Sequence, residues 1–265
     1  TSAIAQASDH QSLQEDLGKL INWSNTWLLP FNTAKCVVMH YGPKNPEFSY
    51  NMNNVNIKVE CTEKDLGVTF DDKLKFSPHI RNIVAKANSR VGVIRRNFKS
   101  LPPKLFLPLY KALVRPLLEY ACCIWNPTLM MDINEIEKVQ RRATKMVTGL
   151  MQFSYSDRLR TLKLDSLKFR RRRNDILQVF RIIKGIDNVN FESFFELYQG
   201  HSTRGHSLKL KKPRANTNIR LQTFSHRVVN DWNSLKEDTV TKSSINAFKT
   251  ALISEWANHP DRYLE

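Results

Sequence analysis

Residues 109–150 read LYKALVRPLLEYACCIWNPTLMMDINEIEKVQRRATKMVTGL, and the pattern within them sets the fold class of what surrounds them. At about 100° per residue, Arg141, Arg142 and Lys145 fall within about 60° of Lys138 on a helical wheel. Ile136, Val139, Ala143, Met146, Val147 and Leu150 cluster roughly 130° away. One side is patterned for burial and the other for anions, although a solvated basic face on an ordinary core helix gives the same pattern. Asp132-x-x-Glu135 stands in front of this helix as a capping motif. Upstream, Pro102-Pro103 opens a helix through Leu105, Leu109, Leu113 and Leu117. Pro108 and Pro116 should kink or split it, because each removes a backbone donor and crowds the preceding turn.

Working outward, Ser77-Pro78 is a strong helix start, followed by a buried stripe of Ile80, Ile83, Val84, Ala87, Val91 and Ile94. Arg81, Lys86, Arg95 and Arg96 lie elsewhere on that helix. Before it, Ser12-x-x-Glu15 reads as a capping box for a helix through Leu13, Leu17, Leu20, Ile21, Trp27 and Leu28 that stops at Pro30. Cys36–His40 is a short strand. Tyr50 and Met52, then Val55, Ile57 and Val59, alternate about Asn53-Asn54, the signature of a hairpin. Glu63 to Phe70 adds a further strand with a Gly67 start. The expected class is α+β, in three parts: a small α/β region with a β-hairpin (1–76), a mainly α-helical region (77–150), and a basic helical C-terminal region (151–265).

In that last region Ser166 starts a helix whose inner face is Leu167, Phe169, Ile176, Val179, Phe180 and Ile183. It carries Arg170, Arg171, Arg172 and Arg173 in succession. Cations near a helix N-terminus oppose its dipole, so the run calls for an anion that offsets it: nucleic acid or an acidic partner. A nuclear-localisation-like patch or a solvated helix start are the other readings. Phe191, Phe194, Phe195 and Leu197 form a small apolar patch, read as core. Between Glu196 and Asp231 there is no acidic residue, while Arg204, Lys209, Lys211, Lys212, Arg214, Arg220 and Arg227 accumulate. Such an extended basic loop suits tracking along a polyanion; a disordered linker has the same composition. Two short helices follow, around Trp232 and Trp256.

The 265 residues carry a net charge of +16. Residues 1–76 hold seven Lys/Arg against nine Asp/Glu, and the remainder holds thirty-four against sixteen, so −2 is followed by +18. That asymmetry points to a polyanionic partner, most often nucleic acid; an anionic membrane surface competes, without a lipidation motif or amphipathic anchor to support it. No apolar run reaches the length of a membrane span. Cys36, Cys61, Cys122 and Cys123 lack zinc spacing and read as reduced residues of an intracellular protein. Glycine-rich phosphate loops, GxSxG and HExxH are absent from the sequence. Thr69-Phe70-Asp71-Asp72 imitates a polymerase carboxylate turn, but Thr stands where an aromatic belongs, and the pair reads as a solvated turn. The chain opens on Thr1 rather than Met, as a fragment would.

Tyr110-Lys111, Leu113-Val114-Arg115-Pro116, Leu118-Glu119-Tyr120-Ala121, Trp125-x-Pro127 and Val139-Gln140-Arg141-Arg142-Ala143-Thr144-Lys145, in that order, resemble the thumb of non-LTR (LINE-type) retrotransposon reverse transcriptases of the jockey-like and chicken-repeat kind. Trp23-Ser24, Phe31-Asn32, Lys35-Cys36 and Met39-His40 resemble the end of the palm, Lys64-Asp65-Leu66-Gly67-Val68 the primer-grip hairpin, and Thr203 to Arg214 with Phe224 to Leu235 the C-terminal segment. The resemblance implies an RNA-directed DNA polymerase whose catalytic turn, fingers and divalent cations such as magnesium belong upstream of Thr1. This part alone would be inactive and without cofactor. Lys35 matches a palm lysine that protonates pyrophosphate. Lys64, Gly67, Lys138, Arg141, Arg142, Lys145, Arg170–Arg173, Arg204, Lys209, Lys211, Lys212 and Arg214 would hold a template–primer hybrid of RNA and DNA, in nucleus and cytoplasm. A stand-alone interaction protein or a relic derived from such an element is the alternative.

Overall fold

The computed structural model describes residues 4, 6–42, 44–199 and 205–263, in two compact units, Thr1–His79 and Ile80–Glu265. In the first unit, helix α1 (Ala7–Thr26) starts ahead of the expected box at Ser12. The Gln6 N–H donates to the Asp9 carboxylate (2.8 Å), so capping is done earlier and Ser12 is interior. Leu13, Leu17 and Ile21 of α1 pack on Tyr50, Met52 and Ile57. The Gln14 amide clamps the Asn51 backbone, donating to its carbonyl (2.9 Å) and accepting from its N–H (3.0 Å).

Strand β1 (Val37–Val38) is followed by the expected hairpin of β2 (Asn51–Met52) and β3 (Val55–Asn56). Asn53 and Asn54 have φ of 50° and 60°, as a two-residue turn of this twist requires. β4 (Lys58–Val59) pairs parallel with β1. The single strand read from Glu63 to Phe70 is instead a hairpin of β5 (Thr62–Asp65) and β6 (Val68–Asp71), turned at Leu66-Gly67. β5 is Thr-Glu-Lys-Asp, without an apolar residue to mark it as a strand of its own, whereas the family resemblance indicated a hairpin. Gly67 sits at φ 86°, where a Cβ is strained. Gly67→Ala should cost about 1–2 kcal/mol and speed amide exchange in β5–β6; an unchanged urea midpoint would contradict this.

Asp71 is not a solvated turn. It is buried, and its carboxylate collects the N–H groups of Lys73 (3.1 Å), Lys75 (3.2 Å) and Phe76 (2.6 Å). This satisfies a bend in which Leu74 and Phe76 both adopt positive φ.

Helix α2 (Ser77–Asn97) follows, with all six residues of the expected stripe buried. The expected interruption is a π-helical turn (Tyr110–Val114) between α3 (Pro103–Leu109) and α4 (Arg115–Glu119), the wide turn accommodating the donor that Pro116 lacks, while Pro108 lies inside α3. The buried stripe there is Phe106, Tyr110, Val114 and Leu118; Leu105 and Leu113 are exposed. Two adjacent apolar stripes are present in the sequence, and the inner one carries a phenol that donates to the buried Gln140 carboxamide (2.5 Å).

α5 (Cys122–Trp125) and α6 (Met130–Lys145) lead to α7 (Tyr155–Leu162) and α8 (Leu167–Ile183). Short helices α9 (Asn218–Leu221), α10 (Phe224–Arg227), α11 (Val229–Asn233) and α12 (Glu237–Val240) precede α13 (Ile245–Glu255). The inner face of α8 joins Phe195, Val228, Trp232, Phe248, Leu252 and Trp256 in one core. The expected face of α8 is correct, and Ser166 caps it by accepting from the Phe169 N–H (3.1 Å). The fold is α+β and mostly helical, with three two-stranded sheets among the described residues.

Candidate nucleic-acid interface

Helix α6 begins at Met130, so Asp132 lies within its first turn, buried, and is not the cap expected. Ile136, Val139, Ala143, Val147 and Leu150 are buried as the wheel requires. The wheel does not show that Glu137, Gln140 and Thr144 are buried beside them. Gln140 is fully buried: its amide nitrogen donates to the Tyr155 hydroxyl (2.9 Å) and to the Asp165 carbonyl (3.0 Å). Glu137 accepts from the Tyr155 hydroxyl and from the N–H groups of Leu167 (3.1 Å) and Lys168 (3.2 Å). Burial beside Glu137 pushes the Tyr155 phenol far above its ordinary value. This polar seam fixes the rotation of α6 and thereby decides which cations face solvent.

Lys138, Arg142 and Lys145 are exposed, at spacings that put them on one face. Lys138 pairs with Glu135 (2.6 Å), an exposed pair worth at most about 1 kcal/mol. Arg142 donates to the Asn88 carboxamide of α2 (2.6 Å). Arg81 and Arg95 stand seven residues either side of Asn88 and are exposed, so helical periodicity places them on the face of α2 that meets Arg142. They were not among the expected site residues, although their spacing of two heptads was readable. Arg141 differs from its neighbours. It is half-buried, with its guanidinium 5.1 Å from the Tyr155 ring centroid.

The Arg170–Arg173 run is not a free anion grip. Arg170 pairs with Glu119 of α4. Arg172 donates to Asp231 (2.5 and 2.6 Å) and to Asp261 (2.6 Å). Arg173 donates to Asp165 (2.9 Å), which also receives Arg262 (2.7 Å). Arg171 is 2% exposed and Arg173 8%, which keeps both from an extended polyanion at the surface. The offsetting anions that the helix dipole demanded are therefore the protein's own carboxylates, with Glu137 at the first-turn amides.

Beyond α8, the basic segment is docked rather than loose. Leu197 and Leu210 form an antiparallel bridge, and the Asn233 carboxamide takes the Leu210 N–H and donates to its carbonyl (2.8 Å each). The Trp232 indole donates to the Leu208 carbonyl (2.7 Å). This fastening leaves Lys211, Lys212 and Arg214 exposed and Lys209 half-buried. Lys211 pairs with Glu196 (2.7 Å), and Lys212 donates to Asn230 (3.1 Å). Arg204 lies outside the described residues. Phe195 is core as expected, whereas Phe194 and Leu197 are each 40% exposed. In the first unit Lys64 and Gly67 are exposed on the β5–β6 hairpin, and Lys35 is exposed on a 3-10 turn (Thr33–Lys35). Among the described residues no helix is long and apolar enough to cross a membrane.

Comparison with known proteins adds a lineage. The chain is 27% identical over 143 residues to the RNA-directed DNA polymerase from mobile element jockey of Drosophila melanogaster, covering 52% of this chain and 15% of that protein. It is 26% identical over 162 residues to the probable RNA-directed DNA polymerase from transposon X-element of the same fly, covering 57% and 17%. An uncharacterized Caenorhabditis elegans protein is 30% identical over 125 residues, covering 46% of this chain and 61% of that one. The matched region thus spans about one-sixth of the fly polymerases' length. No family model and no solved structure matches. The chain is related in sequence to the reverse transcriptases of jockey-like non-LTR mobile elements.

Proposed function

We propose that this chain is the end of the palm, the thumb and the basic C-terminal region of such a reverse transcriptase, and that it grips a template–primer hybrid of RNA and DNA by its phosphates. The observation that carries this is the cationic strip of Lys138, Arg142 and Lys145 on α6, tied at Asn88 to the α2 face bearing Arg81 and Arg95. Strips of this kind position a duplex without reading its bases. Lys211, Lys212 and Arg214 extend the grip along a single strand, and Lys64 with Gly67 serves the primer end. Lys35 would donate a proton to pyrophosphate only beside the upstream catalytic carboxylates and their magnesium. The chain by itself is non-catalytic in this reading and works inside the cell, in nucleus and cytoplasm.

A labelled RNA–DNA hybrid titrated with the full chain tests this. With about six to ten phosphate contacts, affinity should fall by roughly three to five decades between about 50 and 200 mM salt. The Lys138→Ala/Arg142→Ala/Lys145→Ala variant should flatten the slope by about three. Salt-insensitive binding, or a slope that the triple variant leaves intact, would sink the reading. The alternative is a stand-alone interaction protein. It is favoured by Trp23, Trp27, Leu28 and Leu29, which are 50–84% exposed, and by the worm relative, of which the match covers 61%. Salt-insensitive binding of a protein partner would support it.

A further inference from the structure

Helix α8 borders a cavity of about 300 Å³ with the α5–α6 connection, residues of the α9–α11 region and Asp261. Four cations and three carboxylates line it. Each carboxylate already has an arginine as hydrogen-bond partner. Asp175 takes both Arg227 bonds (2.8 and 2.9 Å), and Asp231 and Asp261 both serve Arg172. Lys168 and Arg171 are left over. Lys168 is exposed at the rim, while Arg171 is 2% exposed. The Arg171 Nε donates to the Asn126 carboxamide (3.2 Å), and its Nη1 has no hydrogen-bond partner among the described residues.

A guanidinium presents five donors and cannot shed its charge. Left buried with a donor unmade, it destabilises the fold unless an anion arrives. Burial indeed pulls Arg171 below the ordinary guanidinium range.

We propose that this cavity is an oxyanion site that takes a phosphate group between Arg171 and Lys168. A tetrahedral phosphate can accept from donors that approach from different sides, and the lining of four cations against three carboxylates leaves a net positive charge to receive it. The phosphate can come from the terminal phosphate of a nucleotide chain, which can enter where an extended polyanion cannot, or from free phosphate. None of the α2 and α6 strip cations lines the cavity, so this site and the hybrid grip fail separately.

Thermal unfolding of the full chain against inorganic phosphate, at constant ionic strength with chloride as reference, tests it. A saturable rise in Tm is expected. Arg171→Met should abolish it, and Lys168→Ala should weaken the apparent affinity about tenfold. Lys168 is exposed, so its variant remains informative if Arg171→Met fails to fold. No saturable rise in the parent, or the same rise in Lys168→Ala, overturns the proposal. Under the expected result, competition by a short single-stranded RNA with a 5′-phosphate, but not by the same RNA without it, identifies a chain-terminal phosphate as the occupant, and failure of both identifies free phosphate.

Discussion

Glu137→Ala is expected to cost about 3–5 kcal/mol of folding stability, lowering Tm by roughly 6–20 °C in a unit of this size. Glu137 is 5% exposed. Its carboxylate receives the Tyr155 hydroxyl and the N–H groups of Leu167 and Lys168, which are first-turn donors of α8 with no partner inside the helix. Truncation therefore leaves two buried donors and one part-buried donor unpaired at once. It also removes the carboxylate that accepts from the first-turn N–H groups of a helix that carries four arginines. Glu137→Gln keeps one of the two acceptor oxygens and should lose about 1.5–3 kcal/mol, the scale of one hydrogen bond to a charged group. Urea unfolding followed by circular dichroism distinguishes the two. A Glu137→Ala protein within about 1 kcal/mol of the parent would mean that the seam between α6 and α8 does not hold the unit together.

The second large effect is expected at Asp175, 4% exposed and bonded twice to Arg227. Asp175→Ala strands a guanidinium that also donates to the Cys123 carbonyl (2.7 Å), and should cost about 3–5 kcal/mol. Asp175→Ala/Arg227→Met should recover most of that loss, because an apolar pair of similar volume avoids desolvating two charges. Burial pushes the Asp175 carboxyl up, against the pull of Arg227. Its native value thus exceeds its unfolded one. Its contribution to stability is then fully present below the ordinary carboxylate range and diminishes as pH rises through the native value. Acid unfolding should accordingly show no step from this pair, and Asp175→Asn should be milder than Asp175→Ala near neutrality. A double variant no more stable than Asp175→Ala would contradict the pairing argument.

Local patterns were legible wherever one element's periodicity carried the information. The α2 stripe, the inner face of α8 with its Ser166 cap, and the Asn53-Asn54 turn follow from spacing and from the φ that Asn tolerates. Errors arose where two local patterns were equally good. Leu105/Leu109/Leu113/Leu117 and Phe106/Tyr110/Val114/Leu118 are both apolar stripes at four-residue spacing, and a partner thirty residues away, Gln140, selects the second. Ser12-x-x-Glu15 and Asp132-x-x-Glu135 have the composition of capping boxes, yet Gln6 with Asp9 starts α1 earlier, and α6 begins at Met130, ahead of Asp132.

The sequence by itself determined the α+β class, the opposed faces of α6, the charge asymmetry and the kinship with mobile-element reverse transcriptases. Only the tertiary structure decided which cations remain available. Whether a guanidinium faces solvent depends on carboxylates far along the chain: Glu119 is 51 residues from Arg170, and Asp231 and Asp261 are 59 and 89 from Arg172. A buried charge must find its counter-charge in space, and neither net charge nor helical spacing records where that partner lies.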